Sequence, residues 1–182
     1  MLAWLKRTLD RSQTARKLYG SSVTQARQPA FYADWGVPDT PQGRFEMLVL
    51  HLALAVDRLA REGPAGQRLA LALNETFVAD MDAVMREMTF SDLAVPREIK
   101  QVAAALLDRH QAYALALSAT HGEALDDALS AQLGYLAPAK TIDIRALAGY
   151  MRRAVTALDA EPPARVLGGQ IAWPAPRHGK ED

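Results

Sequence analysis

Between Pro41 and Glu62 the chain reads PQGRFEMLVLHLALAVDRLARE, and no side of a helix drawn through it is polar. Phe45, Leu48, Val49, Leu52, Val56 and Leu59 share one face, while Met47, Leu50 and Leu54 lie nearly opposite. A surface helix keeps a polar side toward water, so a helix apolar almost all round has to be enclosed by neighbours. The start of this central helix is written in Thr40-Pro41: threonine as N-cap, then proline at the first position, where a missing N–H costs nothing. Gly63-Pro64 ends it. With 182 residues, 49% of them apolar, the chain is long enough to wrap such a helix in one core.

The wrapping elements read as helices too, because β-branched alternating runs are missing and helix punctuation recurs. Leu2 to Leu9 forms a short amphipathic segment, and Ser12 caps a second helix to about Gln25, weakened in its middle by Gly20, Ser21 and Ser22. Ala65 to Met88 carries Leu69, Leu73, Phe77, Val84 and Met88 at helical spacing and follows a short turn, which makes it an antiparallel neighbour of the central helix. Ser91-Asp92 and Pro96 open a helix from Arg97 to about Thr120, with Val102, Leu106, Tyr113 and Leu117 inward and Gly122 as its stop. A short helix spans Glu123 to Leu133, and Thr141 caps a last one to about Asp159. The expectation is an all-α, single-domain bundle of about six or seven helices over residues 1–182. Residues 1–12 form a separate amphipathic segment, residues 28–40 an irregular aromatic loop, and residues 162–182 an irregular tail.

Most catalytic chemistry lacks its residues here. Cysteine is absent, which removes disulfides, thiolate metal sites and a cysteine nucleophile. No Walker loop, GxGxxG, Gly-x-Ser-x-Gly, HExxH or Glu-x-x-His occurs. His51 reads as a core histidine with one hydrogen-bonded nitrogen, and His110, His121 and His178 as peripheral. Among Glu75, Asp80, Asp82 and Glu87, Asp82 stands four residues before Arg86, the spacing of a supportive surface pair. The expectation is a protein that is not an enzyme and needs no catalytic residue, metal, cofactor or small-molecule substrate.

No apolar run reaches the ~20 residues of a membrane crossing, the longest being Met47 to Val56. The start MLAWLKRTLDRS has no secretory h-region. These features place the chain in the cytoplasm. The formal charge is zero but polarised: residues 1–33 hold six basic side chains against Asp10 alone, whereas residues 34–92 hold ten acids and five bases. A basic arm of this kind seeks anionic surfaces. With Leu2, Trp4, Leu5 and Leu9 beside Lys6 and Arg7, it supports an alternative role as a peripheral adaptor on anionic lipid at the inner face of the membrane. Balanced overall charge argues against specific nucleic-acid binding.

The remaining oddity is QARQPAFYADWGVPDTPQGRF, residues 25–45, with Phe31, Tyr32 and Trp35 among prolines. Large rings and arginine are enriched at the centres of protein interfaces. They equally serve as lids over grooves between helices, the better reading for Phe31 and Trp35 taken singly.

Three stretches carry a family likeness: ARKLYGSSVTQARQPAFYADWGVPDTPQGRFEMLVLHLAL (15–54), FVADMDAVMREMTFSDLAVPREIK (77–100) and LAGYMRR (147–153). The chain resembles the ubiquinol–cytochrome c chaperone family of complex III assembly factors, and a bacterial member of it, the motif beginning almost at residue 1. For mitochondrial members the resemblance implies a helical chaperone that works with a small partner protein near the ribosomal exit tunnel and receives newly made cytochrome b. On that basis Arg16, Lys17, Tyr19, Arg27, Phe31, Tyr32 and Trp35 are the expected partner-binding residues. The rings would hold an apolar or loop segment of the client, and the basic groups would steer toward ribosomal RNA, anionic lipid or acidic loops.

Overall fold

The computed structural model describes residues 2–87, 95–119, 122–137 and 142–177, with side chains from residue 9 onward. Helices α1 (Leu2–Ala26), α2 (Pro29–Ala33), α3 (Pro41–Ala60), α4 (Gly63–Glu87), α5 (Val95–Ser118), α6 (Ala124–Leu133), α7 (Ile144–Ala160) and α8 (Pro163–Leu167) follow one another, with a 3-10 turn at Gly134–Leu136. No strand occurs among the described residues. As its pattern requires, α3 is the axis of the molecule and touches α1, α4, α5 and α7. Residues Met47 to Val56 are buried on every side. The Thr40 hydroxyl accepts from the Gly43 N–H at 3.2 Å, completing the expected cap.

Two glycines let α4 fold straight back along α3. Gly63 takes the left-handed φ of 64° that a tight reversal needs. At Gly66 a Cβ would stand 2.0 Å from the Leu59 carbonyl oxygen, so only glycine permits this approach. Nearby, the buried Arg58 donates to the carbonyls of Leu158 (2.8 Å) and Glu161 (3.0 Å) and pairs with Glu62. Its charge sits on the carbonyl end of α7, where a helix favours a cation.

The structure corrects several element boundaries. α1 runs unbroken where a break was expected between Leu9 and Ser12. The cost of Gly20, about 1 kcal/mol in a helix, is outweighed by the buried stripe of Ala15, Leu18, Ser22 and Ala26. The Ser22 hydroxyl is satisfied inside the helix by the Leu18 carbonyl at 3.0 Å. The stretch expected to be irregular starts with a five-residue helix, α2, and only then turns at Gly36 (φ 74°). α7 is capped by Asp143, whose carboxylate accepts from the Ala146 N–H at 2.9 Å. Thr141 lies outside the described residues, as do Met88 and Ser91-Asp92. Val84 is 39% exposed instead of inward.

The tail also departs from expectation. After α8 and a turn at Gly169 (φ 80°), residues 170–177 run without helix or strand. They nevertheless form a strap across α1: Trp173 Nε1 donates to Ser21 Oγ at 3.1 Å and Gln25 Nε2 donates to the Pro174 carbonyl at 2.8 Å. Among the described residues the helix count rises to eight because two five-residue helices, α2 and α8, occupy segments read as irregular.

Candidate functional site

Successive long helices joined by short connections run antiparallel. That alternation brings the end of α1, the start of α3, the end of α4 and the start of α5 to one end of the bundle. There they bound a groove of about 670 Å³. Its lining is apolar in the middle, with Val23 from α1, Phe45 and Leu48 from α3, Met81 and Met85 from α4, and Val102 from α5. Phe45 is seated by Phe77 beneath it, ring centres 6.2 Å apart. Methionines suit such a surface, since an unbranched thioether adapts to differently shaped neighbours.

Polar groups ring this middle, and most are already committed. Tyr19 on α1 donates its hydroxyl to Asp80 on α4 at 2.6 Å; burial, and then the adjacent carboxylate, raise its pKa. Tyr32 donates to the Ala26 carbonyl at 2.6 Å, and burial followed by the Asp39 charge pushes it up to about 12. Arg44 pairs with Asp39 at 2.6 Å. At the α5 side Glu46 is wholly buried, and a buried carboxylate needs full compensation. Arg109 supplies it through two bonds, Nη2 to Oε1 at 2.8 Å and Nε to Oε2 at 3.2 Å. Tyr135 adds a third at 2.8 Å. The bond to Glu46 raises Arg109 further. Tyr135 stands 57% exposed, but its hydroxyl end turns inward, and burial of that end together with the Glu46 bond lifts it to about 12.

On the other side of α1 lies a closed aromatic centre. Phe31 packs edge-on against Trp35 (5.3 Å), His51 (5.5 Å) and Tyr150 (5.0 Å), and Trp173 of the strap covers His51 at 5.0 Å. Both nitrogens of His51 are engaged, one more than expected. Nδ1–H donates to the Met47 carbonyl at 2.6 Å, which makes Nε2 the acceptor for the Tyr150 hydroxyl at 2.7 Å. Tyr150 in turn accepts from Gln25 at 3.0 Å. Burial lowers His51 to about 4, only partly opposed by the Met47 bond. A neutral ring with no free lone pair is structural.

The expected partner-binding residues therefore separate. Tyr19 and Arg27 line the groove, and Tyr32 adjoins it. Arg16 is exposed, three, seven and eleven residues ahead of Tyr19, Val23 and Arg27, and so on their side of α1. Lys17 is exposed on the strap side, its stem beside Gly169. Phe31 and Trp35 are corrected: at 0% and 1% exposure they are core, because the turn at Gly36 folds both rings onto α3 and α7. Phe45, Met81, Met85, Glu46 and Arg109 were not anticipated. The unpartnered Val84 and its methionine neighbours were the available signal for the groove.

Asp82 pairs with Arg86 at 2.7 Å as its spacing indicated. No three His, Cys, Asp or Glu side chains converge as a metal site needs among the described residues. No helix among them is long and apolar enough to cross a membrane. The side chains of residues 2–8, on which the lipid-adaptor alternative draws, lie outside the description.

A family model described as ubiquinol-cytochrome C chaperone matches residues 33–173. The crystal structure of the Cbp3 homolog from Brucella abortus superposes with a TM-score of 0.82 at 32% identity, over 97% of this chain and 98% of that one. No curated protein matches in sequence.

Proposed function

Because the chain belongs to the ubiquinol–cytochrome c chaperone family, we propose that it is a non-catalytic chaperone of complex III assembly that holds newly made cytochrome b in the groove between α1, α3, α4 and α5. The observation that carries this reading is the groove itself, an apolar, methionine-bearing recess on a fold whose other large aromatic cluster is closed. An unassembled membrane subunit exposes apolar surface prone to wrong association. Shielding it needs only burial, at roughly 25 cal/mol per Å². Tyr19, Arg27 and Tyr32 form the edge of this surface, with Arg16 farther along α1. Arg16 and Arg27, and Lys17 on the neighbouring face, give α1 a positive field that speeds encounter with acidic loops and weakens with salt.

The test is a pull-down of cytochrome b from cells carrying tagged Val84→Glu/Met81→Gln, against a Leu115→Glu control whose site is 74% exposed and away from the groove. Recovery should fall at least several-fold for the first variant and stay at the wild-type level for the second, with both unfolding like wild type. Undiminished recovery from a folded groove variant would overturn the reading.

A further inference from the structure

We infer that residues 170–177 act as a latch on the groove: docking of the strap and occupation of the groove strengthen one another through the last two turns of α1. The inference rests on the reading of the groove as the client site and adds the part of the fold that controls it.

The strap can open without the rest of the fold. Val166 of α8 is fully buried and anchors the chain just before it, and Gly168-Gly169, the second at φ 80°, forms a joint between the two. Beyond the joint no residue from 170 to 177 is buried. The Gln170 N–H donates to the Arg165 carbonyl at 2.9 Å. Farther along, side chains hold the backbone: Gln25 at the Pro174 carbonyl and Arg153 at that of Arg177, 3.4 Å away. A segment with few buried contacts and no ladder opens at a small fraction of the global unfolding free energy.

Its contacts fall on the reverse side of two groove walls. Ser21 and Gln25, which receive Trp173 and Pro174, alternate along α1 with Val23, Ala26 and Arg27, which line the groove. A displacement of these turns moves both sets together. A second route runs from Gln25 through Tyr150 and His51 to the Met47 carbonyl on α3, and Met47 stands between Glu46 and Leu48 of the lining. Trp173 touches that route as well, its ring centre 5.0 Å from that of His51. On the groove side the same stretch of α1 is tied at the rim, by Tyr19 to Asp80 and by Tyr32 to the Ala26 carbonyl. An occupant pressed on Val23 and Arg27 backs α1 against the strap, and a docked strap backs α1 against the occupant. The strap, docked or open, is thus a two-state element that both sites bias. Such coupling is reciprocal: the factor that the strap adds to the occupant's affinity is the factor that the occupant adds to docking of the strap.

The test uses the full chain with Trp173→Phe, which keeps an apolar ring and strips Ser21 of its donor. Hydrogen exchange should speed up at the amides of residues 23–27 by about three- to tenfold, the scale of one net hydrogen bond, and keep the wild-type rate at Met81 and Met85 on the facing wall. Recovery of cytochrome b in the pull-down should fall severalfold, and further with Trp173→Ala. In the recovered wild-type complex the Trp173 indole N–H should exchange more slowly than in the free chain. Unchanged exchange at residues 23–27 would overturn the inference, and so would an equal rise on both walls, which would make Trp173 a general stabiliser. If Val84→Glu/Met81→Gln loses cytochrome b while Trp173→Phe keeps it, the latch fails and the client reading stands. If exchange responds as expected but the groove variant keeps cytochrome b, the client reading fails and the coupling of strap to groove wall stands.

Discussion

The two sides of α1 are built from similar residues and end in opposite states. On the strap side, Phe31, Trp35, His51, Tyr150 and Trp173 close on one another, and hydrogen bonds run without a gap from Gln25 through Tyr150 and His51 to Met47. On the groove side, Tyr19, Phe45, Met81 and Met85 stand around space that no part of the described chain fills. The difference lies in what arrives from a distance. α7 and the strap cover the first side, and among the described residues no element does the same for the second. Tyr32 and Trp35 are three residues apart yet go to different sides, which shows that aromatic content alone does not mark a binding surface.

Breaking the closed side should cost most. Trp35→Ala removes the largest fully buried side chain and should destabilise by about 3–5 kcal/mol in urea unfolding; a loss under about 1 kcal/mol would mean the centre is less tightly packed than its geometry indicates. Next comes acid. His51 titrates near 6.5 when unfolded and near 4 when folded, so between those values the unfolded chain binds the extra proton. Stability should be full above about pH 6.5 and fall as pH drops toward 4, by on the order of 3 kcal/mol. His51→Gln should flatten that part of the pH profile.

Tyr150→Phe keeps the ring but strips His51 Nε2 of its donor, at about 1–3 kcal/mol. Tyr32→Phe loses one bond to the Ala26 carbonyl in a half-exposed place, about 0.5–1.5 kcal/mol. Smallest of all, Val84→Glu on the open side should leave stability within about 0.5 kcal/mol, as surface changes do. A large loss there would blur the distinction between a packed side and an unfilled one.

Much of the fold was legible because its signals are local. The apolar girth of residues 47–56, the Thr40-Pro41 start, the Gly63 reversal and the Asp82–Arg86 spacing each lie within a few residues. The strap was not legible: Trp173 and Ser21 are 152 positions apart, and residues 170–177 carry no period to announce that they dock. The groove escaped for the same reason, being assembled from the ends of four helices. Tyr19 and Arg27, which line it, had been singled out only through the family likeness. Phe31 and Trp35 are buried as their reading as lids expected, and not on a binding face as the family likeness implied, because α2 and Gly36 turn them inward. The buried pair Glu46–Arg109 joins residues 63 apart, and nothing local distinguishes Glu46 from an ordinary helix carboxylate.

The bonds from Ser21 to Trp173 and from Gln25 to Pro174 set an order of events during synthesis. A nascent chain emerges from its N-terminus, so α1 is exposed long before residues 173 and 174 are made. Its outer flank stays uncovered until residues 173 and 174 have emerged. The groove wall that α1 supplies therefore becomes firm only after all the helices from α2 to α8 have been made, and a ribosome stalled before Trp173 would display a molecule with its first helix secured on one side only.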